Sequence, residues 1–287
     1  PLYIQDYLDT FVNAIPTFSL NEAELNRDNY DEVILKKIED FKVLRDDFIE
    51  FLDVYLSNSI NIETDRLHGF FEKLLSYLTN IDESNYPSNT IGFLKSDPVR
   101  FFYYELFLTF SSVLLEKERF SELAHILHTP FIVIKKSTGE ILQYTFSEFR
   151  QYVATLNDYR NKKLQLNRVS VTADTLKQRA TEKYNFDVLK ETDVLLYYIS
   201  LLFPNDKSYY SEYWFPETSC YRFWKLRVLA KTVSERYFNK VKVLFGVDTK
   251  EELAAKTEQI TKEGKDRIND YNYRIPNIKA GLAVDEM

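Results

Sequence analysis

The chain has 287 residues, of which 45% are hydrophobic, 16% aromatic and 28% charged, with a formal net charge of −7. That composition supplies enough apolar surface for a core and excludes disordered, collagen-like and coiled-coil classes. Only six residues are glycine, about 2% against a typical ~7%, so places where backbone can cradle a phosphate are scarce.

The first strong helical pattern covers 30–56, where Val33, Ile34, Ile38, Phe41, Leu44, Phe48, Phe51, Leu52 and Tyr55 fall at steps of three and four. Asn29 or Asp31 can cap its start. A second pattern covers 62–78 through Leu67, Phe70, Phe71, Leu74, Leu75 and Leu78. Residues 82–98 read as a loop, marked by Pro87, Gly92 and Asp97-Pro98. The next segment, 99–115, is apolar almost all round and predicts the central buried helix; a short helix follows at 120–127. Phe131–Ile134 and Ile141–Tyr144 flank Ser137-Thr138-Gly139, which is a β-hairpin signal. Helices are expected again at 147–166, 172–184, 187–203, 222–245 and 249–271. The last opens on Thr249 and Glu252 at the spacing of a capping box. An aromatic loop lies at 205–216.

The predicted fold class is therefore mainly α, a multi-helix bundle with one short β-hairpin near residues 131–144. The expected organisation is an acidic N-terminal helical part at 1–81, a loop at 82–98, and a larger helical part at 99–287; one continuous domain is the alternative. Charge follows this division unevenly. Residues 21–83 hold sixteen acidic and seven basic side chains, a net of −9, while 221–242 hold seven basic and one acidic, a net of +6.

Cys220 is the single cysteine, so an intrachain disulfide is excluded and a reducing compartment is expected. Asp6 and Asp9 interrupt any signal-peptide pattern, and the longest uncharged apolar run, 106–115, is shorter than the ~18 residues of a membrane span. A cytoplasmic protein without membrane contact is the expectation. The chain starts at Pro1 and has its only methionine at 287, and so reads as the C-terminal fragment of a larger intracellular prokaryotic protein.

Familiar catalytic spacings are missing. His68, His125 and His128 form no HExxH pattern, so no metal site is expected. There is no GxSxG, and Cys220 has no histidine nearby in sequence. The glycines are too far apart for a P-loop or a dinucleotide fingerprint, so no cofactor is expected.

Two short stretches carry a family resemblance. Arg119 precedes His125 with five residues between, and Tyr159-Arg160-Asn161 contains an Arg-Asn pair, although no histidine follows it in 162–169. This arrangement resembles the motif of HEPN-type helical domains. The resemblance implies a helical bundle in which Arg119 and His125 cleave RNA at a dimer interface without a metal. His125 would be the general base, and Arg119 would stabilise the phosphate transition state. A degenerate bundle without activity is the other form such a resemblance allows.

Two basic stretches and one aromatic cluster are the binding candidates. Arg160, Lys162, Lys163 and Arg168 lie in a basic run that continues to Lys177 and Arg179. Arg222 and Lys225 open a second run that reaches Lys242, interleaved with aromatic residues. Such cations can meet phosphates, and exposed aromatic rings can stack on bases. Tyr210, Tyr213 and Trp214 sit in the aromatic loop, where they either form a docking surface or fold back over the core. The expected function is a non-catalytic helical interaction or scaffold module with a protein partner or self-association. The alternatives are the HEPN-like ribonuclease and a nucleic-acid-binding module using the faces at 160–179 and 222–242.

Overall fold

The computed structural model describes residues 2–20, 24, 28–59, 61–84, 94–204, 213–221, 226–266 and 275–282. Over these residues the fold is mainly helical, with a single two-stranded antiparallel hairpin. The chain forms two compact units, one from residues 1–107 with 129–172, the other from 108–128 with 173–287.

In the first unit, α1 (Leu2–Phe18) buries Leu8, Phe11 and Ile15, which recur at helical spacing. The predicted helix over 30–56 is two helices, α2 (Tyr30–Asp40) and α3 (Lys42–Asn58). The joint is Phe41, wholly buried at φ −65° and ψ −14°; its N–H still bonds to Lys37 O at 3.2 Å. α4 (Thr64–Ser84) extends past the predicted end. Aromatic rings from these helices interlock: Phe11 and Phe70 centroids are 5.4 Å apart, and Phe48 and Phe70 5.3 Å.

The hairpin has its predicted strands, β1 (Phe131–Ile134) and β2 (Ile141–Tyr144), with Phe131 opposite Tyr144 and Ile134 opposite Ile141. β1 lies along α4, whose Glu72 carboxylate accepts from Ile132 N at 2.7 Å and whose Asn80 Oδ1 accepts from Lys136 N at 3.0 Å. Alternation puts Phe131 and Val133 in the core and leaves Ile132 and Ile134 outside.

α5 (Asp97–Glu116) contributes its first half to the first unit and its second half to the other. α6 (Phe120–His128) and α8 (Phe186–Leu202) follow at the predicted places, while α7 (Val171–Arg179) ends five residues short of the expected 184. Asn185 caps α8, its side chain accepting from Asp187 N and Val188 N at 3.1 and 3.2 Å. The helix expected over 147–166 is divided instead: a 3-10 turn at Phe146–Phe149, a π-helical stretch at Thr155–Arg160, then Asn161–Lys163. The helix expected over 222–245 is also divided among its described residues, into Arg227–Ala230, α9 (Glu235–Val241) and a 3-10 turn at Lys242–Phe245. The turn at 231–234 resets the helical phase, so Leu226, Val241 and Leu244 are buried while Val233 is 59% exposed.

α10 (Lys250–Glu263) begins at the predicted cap: Thr249 Oγ1 accepts from Glu252 N at 3.1 Å, while Glu252 Oε2 accepts from Asp248 N, one residue before the cap, at 2.9 Å. It stops at Gly264, whose φ of +69° closes the helix earlier than the expected residue 271.

The glycine shortage is felt at helix ends. Glu118 (φ +52°) and Gln165 (φ +50°) occupy the left-handed C-terminal position where glycine usually sits. Each is fixed by the same pair of bonds: Glu118 N to Leu115 O and Arg119 N to Leu114 O, then Gln165 N to Lys162 O and Leu166 N to Asn161 O. Among the described residues no helix is long and apolar enough to cross a membrane.

Candidate functional site

Beyond the π-helical stretch of the first unit, residues 162–169 are exposed without a break. Three of them are aliphatic: Leu164 at 45%, Leu166 at 39% and Val169 at 42% exposure. Their backbone is fixed from below. The Asn161 side chain clasps Arg168, donating to its carbonyl at 2.8 Å and accepting from its N–H at 3.1 Å. Asn157 Oδ1 accepts from Thr172 N at 3.0 Å on the far side, and Asn167 adds another left-handed residue at φ +51°. Left-handed non-glycine residues cost about 1 kcal/mol each, and such strain gathers where a loop has a task.

The cations of this stretch have separate roles. Arg160 Nη1 and Lys163 Nζ converge on the buried Asp31 carboxylate at 2.9 and 2.7 Å, and Lys163 also reaches Asp28 O at 2.9 Å. Burial by itself would raise the Asp31 carboxyl, but Lys163 and Arg160 outweigh it and hold the group below its ordinary value. Arg160 and Lys163 thus tie the stretch to α2. Lys162 is exposed with no carboxylate partner among the described residues, and Arg168 is exposed beside the aliphatic chains.

Trp214 is fully buried: its indole donates to Asp193 Oδ1 at 2.7 Å and its N–H to Ser200 Oγ at 3.0 Å. An indole N–H needs an acceptor, and here the acceptor lies in the core, so Trp214 packs inward instead of forming a docking surface. Tyr213 is 39% exposed, edge-on to Tyr197 at 6.0 Å. Tyr210, Arg222 and Lys225 lie outside the described residues. Arg179 is buried, and Lys177 sits 4.5 Å over the Tyr221 ring.

Arg119 follows the left-handed turn at the end of α5, its Nη1 3.5 Å from Glu122 Oε1. His125 is exposed on α6. Arg119 itself precedes that helix. His68 stacks on Phe131 at 4.4 Å, and His128 Nε2 lies 3.1 Å from Leu244 O. Burial pushes the His128 imidazole down, partly offset by that carbonyl. Among the described residues no group of three His, Cys, Asp or Glu can hold a metal ion.

A cleft of about 180 Å³ opens in the second unit, between the end of α5, α8 and residues 226–237. Leu115, Val188, Leu195 and Leu226 form its buried floor. Glu116, Glu118, Glu191, Arg227 and Lys231 form its rim, with the Tyr237 ring at one side. Arg227 bridges Glu191 Oε2 at 2.9 Å and Glu116 Oε1 at 3.5 Å, while Lys240 reaches Glu118 Oε2 at 2.9 Å. Sequence reading missed this cleft, because its three acidic residues are spread from 116 to 191 and read singly as solvated surface.

No protein-family model, no curated protein and no solved structure matches this chain.

Proposed function

We propose that the chain is a non-catalytic interaction module whose docking surface is the stretch 162–169. The observation that carries this reading is an unbroken exposed segment with three aliphatic side chains on a backbone held by the Asn161 clasp. Exposed aliphatic side chains gathered within six residues supply apolar area for an interaction site. Preorganised backbone lowers the entropic cost of association.

Charge selects the partner. Lys162 is exposed on the same segment as Leu164, Leu166 and Val169, so the matching surface is a protein segment with apolar residues set among Asp and Glu. Arg160 and Lys163 are engaged with Asp31, which leaves fewer cations for phosphate contacts than the basic run of the sequence implies.

Selection from a displayed random peptide library tests the proposal. The expected winners combine aliphatic and acidic residues and bind a Leu164→Ser/Leu166→Ser/Val169→Ser variant at least tenfold more weakly. Equal binding to that variant overturns the reading. A gel shift of RNA or DNA at ~50 mM salt that vanishes in Lys162→Ala/Arg168→Ala but survives the aliphatic substitutions replaces it with nucleic-acid binding.

A further inference from the structure

α3 carries an exposed stripe that its own unit does not cover. Val43, Asp47, Glu50 and Val54 recur at steps of three and four, so they share one side of the helix, while Phe48, Leu52 and Tyr55 on another side face the core. Val43 is 67% exposed and Val54 59%, each more than any of the aliphatic side chains at 162–169. The two acids between them keep their charge uncompensated. Asp47 accepts from the neutral Tyr7 phenol at 2.6 Å, and Glu50 has no cationic partner among the described residues. Asp46, one residue away, is by contrast held by Lys42 and Arg45, both at 2.6 Å.

Aliphatic side chains set among unpaired carboxylates are the chemistry that complements 162–169, with its exposed Lys162, Leu164, Leu166 and Val169. Both surfaces belong to the first unit and both are exposed, so neither covers the other within one chain. The exposed isoleucines of the hairpin, Ile132, Ile134 and Ile141, match less well. They lie beside Lys135 and Lys136 as well as Glu140, and so present mixed charge to Lys162.

We propose, resting on 162–169 as the docking surface, that its partner is a second copy of this chain. Leu164, Leu166 and Val169 of one copy lie on Val43 and Val54 of another, and Lys162 meets Asp47 and Glu50. Pairing either surface with itself sets like charges together, Lys162 against Lys162 or the two acids against their copies, so the crossed pairing is selected. Because the two surfaces differ, a pair of copies either exchanges the contact in both directions or leaves one end open for further copies. Five aliphatic side chains make a small interface, so association is weak and depends on concentration.

Sedimentation equilibrium of the whole chain tests this. The average mass is expected to rise above that of one chain between about 10 µM and 0.5 mM, the range of a small transient interface. Val43→Ser/Val54→Ser and Leu164→Ser/Leu166→Ser/Val169→Ser alter exposed positions only, so both variants fold, and each alone should stay monomeric. An equimolar mixture of the two should associate again, because each brings one intact surface. Lys162→Glu, which sets a third negative charge against Asp47 and Glu50, should weaken association at least tenfold. A wild-type chain that is monomeric at ~0.5 mM, or association unchanged in Val43→Ser/Val54→Ser, overturns the self-contact; the peptide selection then decides separately whether 162–169 docks another protein. Association that needs Val43 and Val54 but survives the substitutions at 164, 166 and 169 overturns both readings.

Discussion

In the first unit the Arg45 guanidinium lies 2.7 Å from the Glu105 carboxylate with both side chains buried, and Asp97 is held by Arg100 at 3.1 Å and by Thr155 N at 2.7 Å. In the second unit the buried Asp193 accepts instead from the Trp214 indole, from Thr218 N at 2.9 Å and from the Thr218 hydroxyl at 2.7 Å. Asp266 likewise accepts from the Thr261 hydroxyl and Ile278 N. The first arrangement sets charge against charge; in the second an indole, a hydroxyl and backbone N–H groups bond to the carboxylate, tying a helix to the segment that covers it. The difference predicts which substitutions can be compensated. A charge pair can be replaced by two apolar residues, whereas a carboxylate bonded to backbone cannot.

The largest effect is expected for Asp193→Ala. It strands the Trp214 and Thr218 donors in the core, at about 1–3 kcal/mol each, for a loss of about 3–5 kcal/mol in urea denaturation. A loss below 1 kcal/mol would show that Asp193 does not pin the Trp214 segment. Next, Glu105→Leu alone removes the buried carboxylate facing Arg45, which still reaches Asp46, and should cost about 3 kcal/mol. The double variant Arg45→Met/Glu105→Leu should recover most of that. Failure of the double variant to recover would erase the contrast between the two units.

Asp97 sharpens the comparison through pH. Burial raises its carboxyl from 3.8 to about 6, against the lowering effects of Arg100 and Thr155. The folded value exceeds the unfolded one, so the native state holds the proton more tightly between these pH values. Stability is therefore greatest below about pH 4 for this group and falls as pH rises through about 6, by on the order of 3 kcal/mol. Asp97→Asn should flatten that part of the profile, and an unchanged profile would remove Asp97 as its source. The smallest effect is Gln165→Gly, which relieves a left-handed φ and should change stability by less than 1 kcal/mol while loosening the 162–169 backbone.

Periodicity made the helical class, the hairpin strands, the buried α5 and the Thr249 cap legible, because each rests on contacts within a few residues. The breaks were not. Phe41 lies in an unbroken apolar pattern, and the turn at 231–234 contains neither glycine nor proline, so nothing local announces either. The left-handed ends at Glu118 and Gln165 were hidden for the same reason, and Gly264, which reads as helix interior, is a terminus. Arg160, Lys162, Lys163 and Arg168 were visible as cations, but their division into anchors and outward groups depends on Asp31, more than a hundred residues away. The inward turn of Trp214 depends in turn on Asp193, 21 residues earlier.

The central claim is that 162–169 binds because its backbone is fixed in advance. The direct measurement is the affinity of the selected acidic-aliphatic peptide for Asn161→Ala, which removes the clasp on Arg168 and leaves every exposed aliphatic side chain in place. An affinity loss of about tenfold, with amide exchange at Arg168 accelerated, is the predicted result. Wild-type affinity in the folded variant would contradict it.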